Sequence, residues 1–181
     1  AIDDVRAAVR PYGAATILPT LDEWGRPWAS TDHDALSATV DALLAAEART
    51  IAVAAGKADA SPSASDCFER LGYRAETWGR PVTYHDLDAD PDAWSVRTAK
   101  GGGGVEEPLR VATLAADAGC RVSLGVCRTH GTFRLGLALP NLAAMLHRDD
   151  RADFDGPALA GRIPAGLLPA LGPLETWRGR L

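Results

Sequence analysis

Four consecutive residues, Cys127, Arg128, Thr129 and His130, set a thiol, a guanidinium, a hydroxyl and an imidazole side by side, and Gly131 and Thr132 follow. Arg128 offers a planar fork of donors suited to carboxylate or phosphate. His130 titrates near neutral pH without help from its surroundings, so it can serve as general acid, general base or metal ligand. Thr129 and Thr132 add hydroxyls, and Gly131 permits close approach of the backbone to a ligand. A cysteine beside a histidine can also yield a thiolate nucleophile. The plainer alternative is a polar turn joining two pieces of core, with Cys127 buried at a strand end as free cysteines commonly are. Cys-Arg-Thr-His matches no general catalytic template, so the spacing marks a place rather than a reaction.

Three further groupings invite chemistry and have simpler readings. His33 lies between Asp32 and Asp34 at a predicted helix start, where capping explains the acids and metal ligation is the alternative. His85 leads Asp86, Asp88, Asp90 and Asp92, but the run lacks the glycine and terminal glutamate of a calcium loop, and a solvated acidic loop is expected. The run Lys100–Gly104 has no Gly-Lys-Ser/Thr ending and no helix after it, so a mobile hairpin tip is expected rather than a phosphate loop. Metal-dependent chemistry through His33, His85 and His130 would require the three to converge.

These residues need elements to hold them. Apolar spacing predicts a helix over Ile2–Val9, ended by Pro11 and Gly13, and a helix after Thr31 or Asp32 with Leu36, Val40, Leu43 and Leu44 on one stripe. Another is expected over Ala64–Leu71, closed by Gly72. Short apolar runs predict buried strands at Ala14–Leu18, Thr50–Gly56 and Cys120–Val126, and Pro81–Leu87 reads as a further strand between them. Trp94–Thr98 and Glu107–Leu114 read as a hairpin. Phe133, Leu135, Leu137 and Leu139 are expected in the core, Pro140 is expected to break the pattern, and Asn141–His147 reads as a short helix. Alternation of strand and helix predicts an α/β layered fold with a mostly parallel sheet flanked by helices, plus a β-hairpin insertion. In such sheets ligands bind outside the carboxyl ends of the strands. The loops after Leu18, Ala55, His85 and Val126 would therefore open on one edge.

Composition narrows the classes of function. The 181 residues suit a single α/β domain over 1–181, with a Pro/Gly-rich tail over 151–181 that holds four of the twelve prolines. A net charge of −5 argues against a dedicated nucleic-acid binder. Lysine occurs only at Lys57 and Lys100, an arginine-heavy balance that reflects a high-GC genome more than a function. Three cysteines without a CxxC pair argue against a disulfide framework and for a reducing cytoplasm. One copy of the chain cannot build a four-cysteine iron–sulfur or zinc site. No apolar run is long enough to span a membrane, and Ala1–Arg10 lacks the character of a secretion signal.

The order of segments resembles the family designated domain of unknown function 362 (DUF362). The counterparts are Ile17–Leu21, Ser30–Ala45, Val53–Gly56, Cys67–Tyr73, Gly119–Gly131 and Leu137–Leu146, a core of about 14–150. Where the family carries Lys-Pro-Asn, Lys-Thr-His and Lys-Asn, this chain has Leu18-Pro19-Thr20, Arg128-Thr129-His130 and Pro140-Asn141. Thr129, His130 and Asn141 match, Arg128 keeps a positive charge, and the other two lysines are absent. The ferredoxin-like segment of some relatives has no counterpart here, so no cofactor follows from the resemblance.

Together these readings predict a pocket for a small anion at the carboxyl edge. Arg128, Thr129, His130 and Asn141 would line it, with contributions from Thr20, His33 and Lys57, and His130 would act as acid/base if the protein is an enzyme. The alternative is a non-catalytic relative that kept the fold, lost the lysines and acts as a binding or assembly partner. Oligomeric state is not readable from the sequence.

Overall fold

A computed structural model of the protein describes residues 2–22, 26–57, 62–100, 106–130, 134–136 and 138–152. Among them β1 (Ala14–Pro19), β2 (Thr50–Ala55), β3 (Val82–Asp86) and β6 (Cys120–Leu124) form one sheet in the order β3-β2-β1-β6. Every pairing in it is parallel: Ile17 registers with Val53 and with Val122, and Val53 with Tyr84. The α/β expectation is met, and the loops after these four strands do open on one edge.

The apolar runs of β1 and β2 form buried strands because both of their faces are covered, while the edge strands β3 and β6 are mostly half-buried, which corrects the expectation of a buried strand at Cys120–Val126. Ala15, Ile17, Ile51, Val53 and Ala55 point into one cluster with Leu36, Val40, Leu43, Phe68 and Tyr73. These come from α2 (His33–Ala45), α3 (Ala64–Arg70) and α4 (Tyr73–Glu76), and α1 (Ile2–Val9) adds Val9 to the same cluster. Leu18 and Ala54, of opposite parity, point into a second cluster with Leu87, Val111, Met145 and Leu146. That second layer is built on the hairpin β4 (Trp94–Lys100) and β5 (Glu106–Ala112), with α5 (Thr113–Ala116) and α6 (Ala138–Ala143). Burying side chains as fully as Phe68 or Ile17, each 0% exposed, stabilises by about 1.5–3 kcal/mol apiece.

Helix ends follow local chemistry. Gly13 and Gly72 adopt φ of 62° and 72°, left-handed values that favour glycine, where α1 and α3 stop. Asp32 caps α2 by accepting from the Asp34 amide at 2.8 Å. At α3 the Ser63 hydroxyl accepts from the Asp66 amide while the Asp66 carboxylate accepts from the Ser63 amide, each at 3.0 Å. Hydrogen bonding to the Ser63 backbone, then to its side chain, holds the Asp66 carboxyl below its ordinary range. Ser63→Ala should therefore lower the urea unfolding free energy by about 1 kcal/mol at neutral pH. A carboxyl depressed in the folded state stabilises above its unfolded pKa of about 4, and that contribution is lost as pH falls through the folded value. The Asp66 half of the box uses the Ser63 amide, which Ser63→Ala retains, so the variant that reads it is Asp66→Ala: its deficit should shrink in acid, and a deficit independent of pH would exclude that half.

The structure corrects three sequence expectations on the carboxyl-terminal side. Pro140 lies inside α6, because in the first turn its missing amide has no helical partner to lose. The helix ends at Ala143, not His147, since Met145 and Leu146 turn toward β5, with the Ala112 amide donating to the Met145 carbonyl at 2.8 Å. Leu114 belongs to α5 rather than to the hairpin strand. The chain also forms a small antiparallel pair, β7 (Arg128–His130) with β8 (Arg134–Gly136), and a final helix, α7 (Arg148–Ala152). The glycines of the hairpin tip, the side chains of Phe133, Leu135, Leu137 and Leu139, and the tail from 153 fall outside the described residues.

Candidate functional site

The strand order places a topological switch between β1 and β6: the chain steps from β1 through β2 to β3, then returns to β6 on the other side of β1. At the carboxyl ends of these two strands lies a closed polar cluster. The Thr20 hydroxyl donates to the Leu124 carbonyl (3.2 Å) and Asn141 Oδ1 (2.9 Å) and accepts from the Val126 amide (3.1 Å). The Thr20 amide donates to Thr31 Oγ1 at 2.9 Å, whose own hydroxyl donates to the Leu124 carbonyl at 2.8 Å. Asn141 Nδ2 donates to the Leu18 carbonyl at 3.0 Å and to Ser123 Oγ at 3.2 Å.

Thr20, Thr31 and Asn141 are 3%, 4% and 5% exposed, so they fasten strand ends and α6 together from inside. Two residues beyond Val126, the chain enters β7, which carries Arg128, Thr129 and His130. Thr129 registers with Leu135 and His130 with Arg134 across to β8. The side chains of Arg128, Thr129 and His130, with Gly131 and Thr132, lie outside the described set. Cys127 just before them is exposed, which overturns its reading as a core residue at a strand end.

A second polar group stands at the carboxyl ends of β2 and β3. Lys57 is 8% exposed; its ammonium donates to the Asp22 carbonyl at 3.4 Å and lies 3.6 Å from Cys67 Sγ. Its amide donates to Asp88 Oδ2 at 2.6 Å, and Asp88 Oδ1 accepts from Arg151 Nη2 at 2.5 Å. Asp88 and Arg151 side chains are 17% and 7% exposed. Asp88 is thus a half-buried ion-pair partner of the buried Arg151, a correction to the expected solvated acidic loop. Asp90 and Asp92 do face solvent, and Asp86 accepts from the Ser65 amide at 3.1 Å. On the adjoining loop the buried Asp22 carboxylate receives Arg26 Nε at 2.7 Å and Nη2 at 2.8 Å, while its amide donates to Ser30 Oγ at 3.0 Å.

The structure thus brings Thr20 and Asn141 into direct contact, sets β7 beside them, and puts Lys57 at the end of the neighbouring strand. His33 stands apart from that cluster as an exposed side chain whose Nδ1 lies 3.0 Å from Asp34 Oδ1. Asp32, His33 and Asp34 offer ligand atoms within 4.8 Å of one another, all on solvent-facing side chains. His85 Nε2 meets Thr83 Oγ1 at 2.9 Å, and His85 shares no such cluster with His33 among the described residues.

Asp22 and Arg151 left no signal in the sequence, Thr31 stood out only as a candidate helix cap beside Asp32, and Asp88 only as one of a run of aspartates expected to be solvated. Behind the edge, the Tyr73 hydroxyl donates to the Thr31 carbonyl, and Tyr84 donates to the Tyr73 carbonyl at 2.8 Å. Burial raises both phenols above their ordinary range, so they remain neutral donors through the physiological span. The edge is accordingly braced by neutral hydroxyls and by paired charges. Such a frame can hold a short strand in place at the switch point.

The family model described as domain of unknown function (DUF362) matches residues 17–163, which span the sheet, the switch point and α7. No curated protein matches the chain. No helix among the described residues is long and apolar enough to cross a membrane.

Proposed function

The chain belongs to the DUF362 family, and from that premise we propose that it binds a small anion at the carboxyl edge of its sheet. The observation that carries this reading is the switch point itself: β7 departs from a buried Thr20–Thr31–Asn141 cluster at the position where open α/β sheets take ligands. In this proposal Arg128 anchors the anion, Thr129 adds a hydrogen bond, and His130 is the acid/base or simply a donor. Thr20 and Asn141 position the strand rather than touch the ligand, and Lys57 and His33 add nitrogen donors at the same edge. The three cysteines are free, which suits a reducing cytoplasm.

Calorimetric titration of the full chain with inorganic phosphate, sulfate and small carboxylates tests the proposal. Saturable binding is expected, and Arg128→Ala should weaken it roughly tenfold or more, as losing a charge-assisted hydrogen bond does. Absence of saturable binding, or an Arg128→Ala variant with unchanged affinity, would sink it. One observation favours a non-catalytic version: Thr20 and Asn141 commit their polar atoms to the β1 and β6 ends, the arrangement of a binding scaffold. His130→Gln separates the versions, since binding alone should survive it.

A further inference from the structure

We propose that Trp28 is a stacking platform for the ligand, so that the anion taken at this edge carries a planar aromatic ring. The inference rests on the anion reading and narrows its ligand class. Trp28 is 75% exposed and sits in the single turn Pro27–Ala29 of the β1–α2 connection, on the carboxyl side of the sheet. A single exposed apolar residue is ordinary. This one is distinguished by how firmly its surroundings hold it.

Arg26 lies over the indole with its guanidinium carbon 4.6 Å from the ring centroid. That guanidinium is itself fixed by two hydrogen bonds, at 2.7 and 2.8 Å, to Asp22, whose side chain is 3% exposed. Pro27 restricts φ just before the tryptophan, and Ala29 just after it is buried. Asp22 is tied to Ser30 through its amide and to Lys57 through its carbonyl, so the loop is anchored to the ends of both β1 and β2. An aromatic face held this way loses little conformational freedom when a ring stacks on it.

Among the described residues, the other exposed aromatic side chains lie at the opposite edge. Tyr12 is 61% exposed just before β1, and Trp78 is 88% exposed before β3. Trp28 alone among the described exposed aromatics stands on the edge where β7 and Lys57 emerge.

Titration of the full chain with phenyl phosphate and with methyl phosphate tests this, because the two share an anion and differ in the ring. Phenyl phosphate should bind about tenfold more tightly, the scale of one aromatic stack. Trp28→Ala should bring phenyl phosphate down to the affinity of methyl phosphate, and Trp28→Phe should restore part of the gap. Trp78→Ala should leave phenyl phosphate binding unchanged. Equal binding of the two probes, or a gap that persists in Trp28→Ala, would overturn the stacking role while leaving the anion site standing. If neither probe binds, both readings fall together. Thermal unfolding of Trp28→Ala should match the parent, since the indole is largely solvated, and a marked loss of stability would overturn the platform by revealing a packing role.

Discussion

Asp88→Ala should lower the unfolding free energy by about 2–4 kcal/mol, toward the range for removing one partner of a buried ion pair, because Arg151 is buried while Asp88 is half-buried. That is a large share of the roughly 5–15 kcal/mol available to a domain. The loss has two parts. The Arg151 guanidinium, in a side chain 7% exposed, loses the carboxylate at 2.5 Å, and the Lys57 amide loses its acceptor at 2.6 Å. Arg151 cannot easily swing to water, because Gly56 is packed against it: a Cβ there would lie 2.7 Å from Nη2 and 2.8 Å from the Ala144 carbonyl. The double variant Asp88→Leu/Arg151→Met removes both charges and should recover much of the loss, since buried pairs replaced by apolar groups are often near neutral. Urea denaturation of the three proteins measures this. An Asp88→Ala deficit under about 1 kcal/mol would mean that solvent screens the pair as it screens surface bridges.

The legible parts of this fold are those decided within a few residues. Ala14–Leu18 and Thr50–Gly56 read as buried strands because continuous apolar runs admit little else, Cys120–Val126 gave a strand over Cys120–Leu124 that is mostly half-buried, and Asp32 and Gly72 announced the helix ends they form. Pro140 misled because its cost depends on position in a helix, and one residue's difference in where α6 starts decides whether its missing amide matters. Asp88 misled for a different reason. A run of alternate aspartates looks solvated until a partner arrives, and Arg151 stands 63 positions further along the chain. The pairing of Thr20 with Asn141 spans 121 positions. Both residues were marked by segment order, but nothing local indicated that they would be buried against each other and serve as a mount for β7.

That mount makes Asn141→Leu the second large expected effect. The substitution keeps most of the side-chain volume, so a cavity is not its main consequence. It removes the hydrogen bonds to the Leu18 carbonyl, Ser123 Oγ and Thr20 Oγ1. Each polar group left buried and unpaired costs about 1–3 kcal/mol. Thr20 is partly protected, because its hydroxyl still donates to the Leu124 carbonyl and accepts from the Val126 amide. A net loss of about 2–4 kcal/mol is therefore expected in urea denaturation. The more telling readout is binding at a denaturant-free temperature where the variant is fully folded. Asn141 holds α6 against the ends of β1 and β6, and β7 starts two residues past the amide that Thr20 receives. Loosening that joint should weaken anion affinity even though Asn141 makes no contact with the anion in the proposed site. Thr20→Val, which breaks the same joint from the other side, should weaken affinity as well, and the double variant should lose less than the sum of the two. Strictly additive losses would mean that the two residues act separately and that the cluster does not position β7 as a unit.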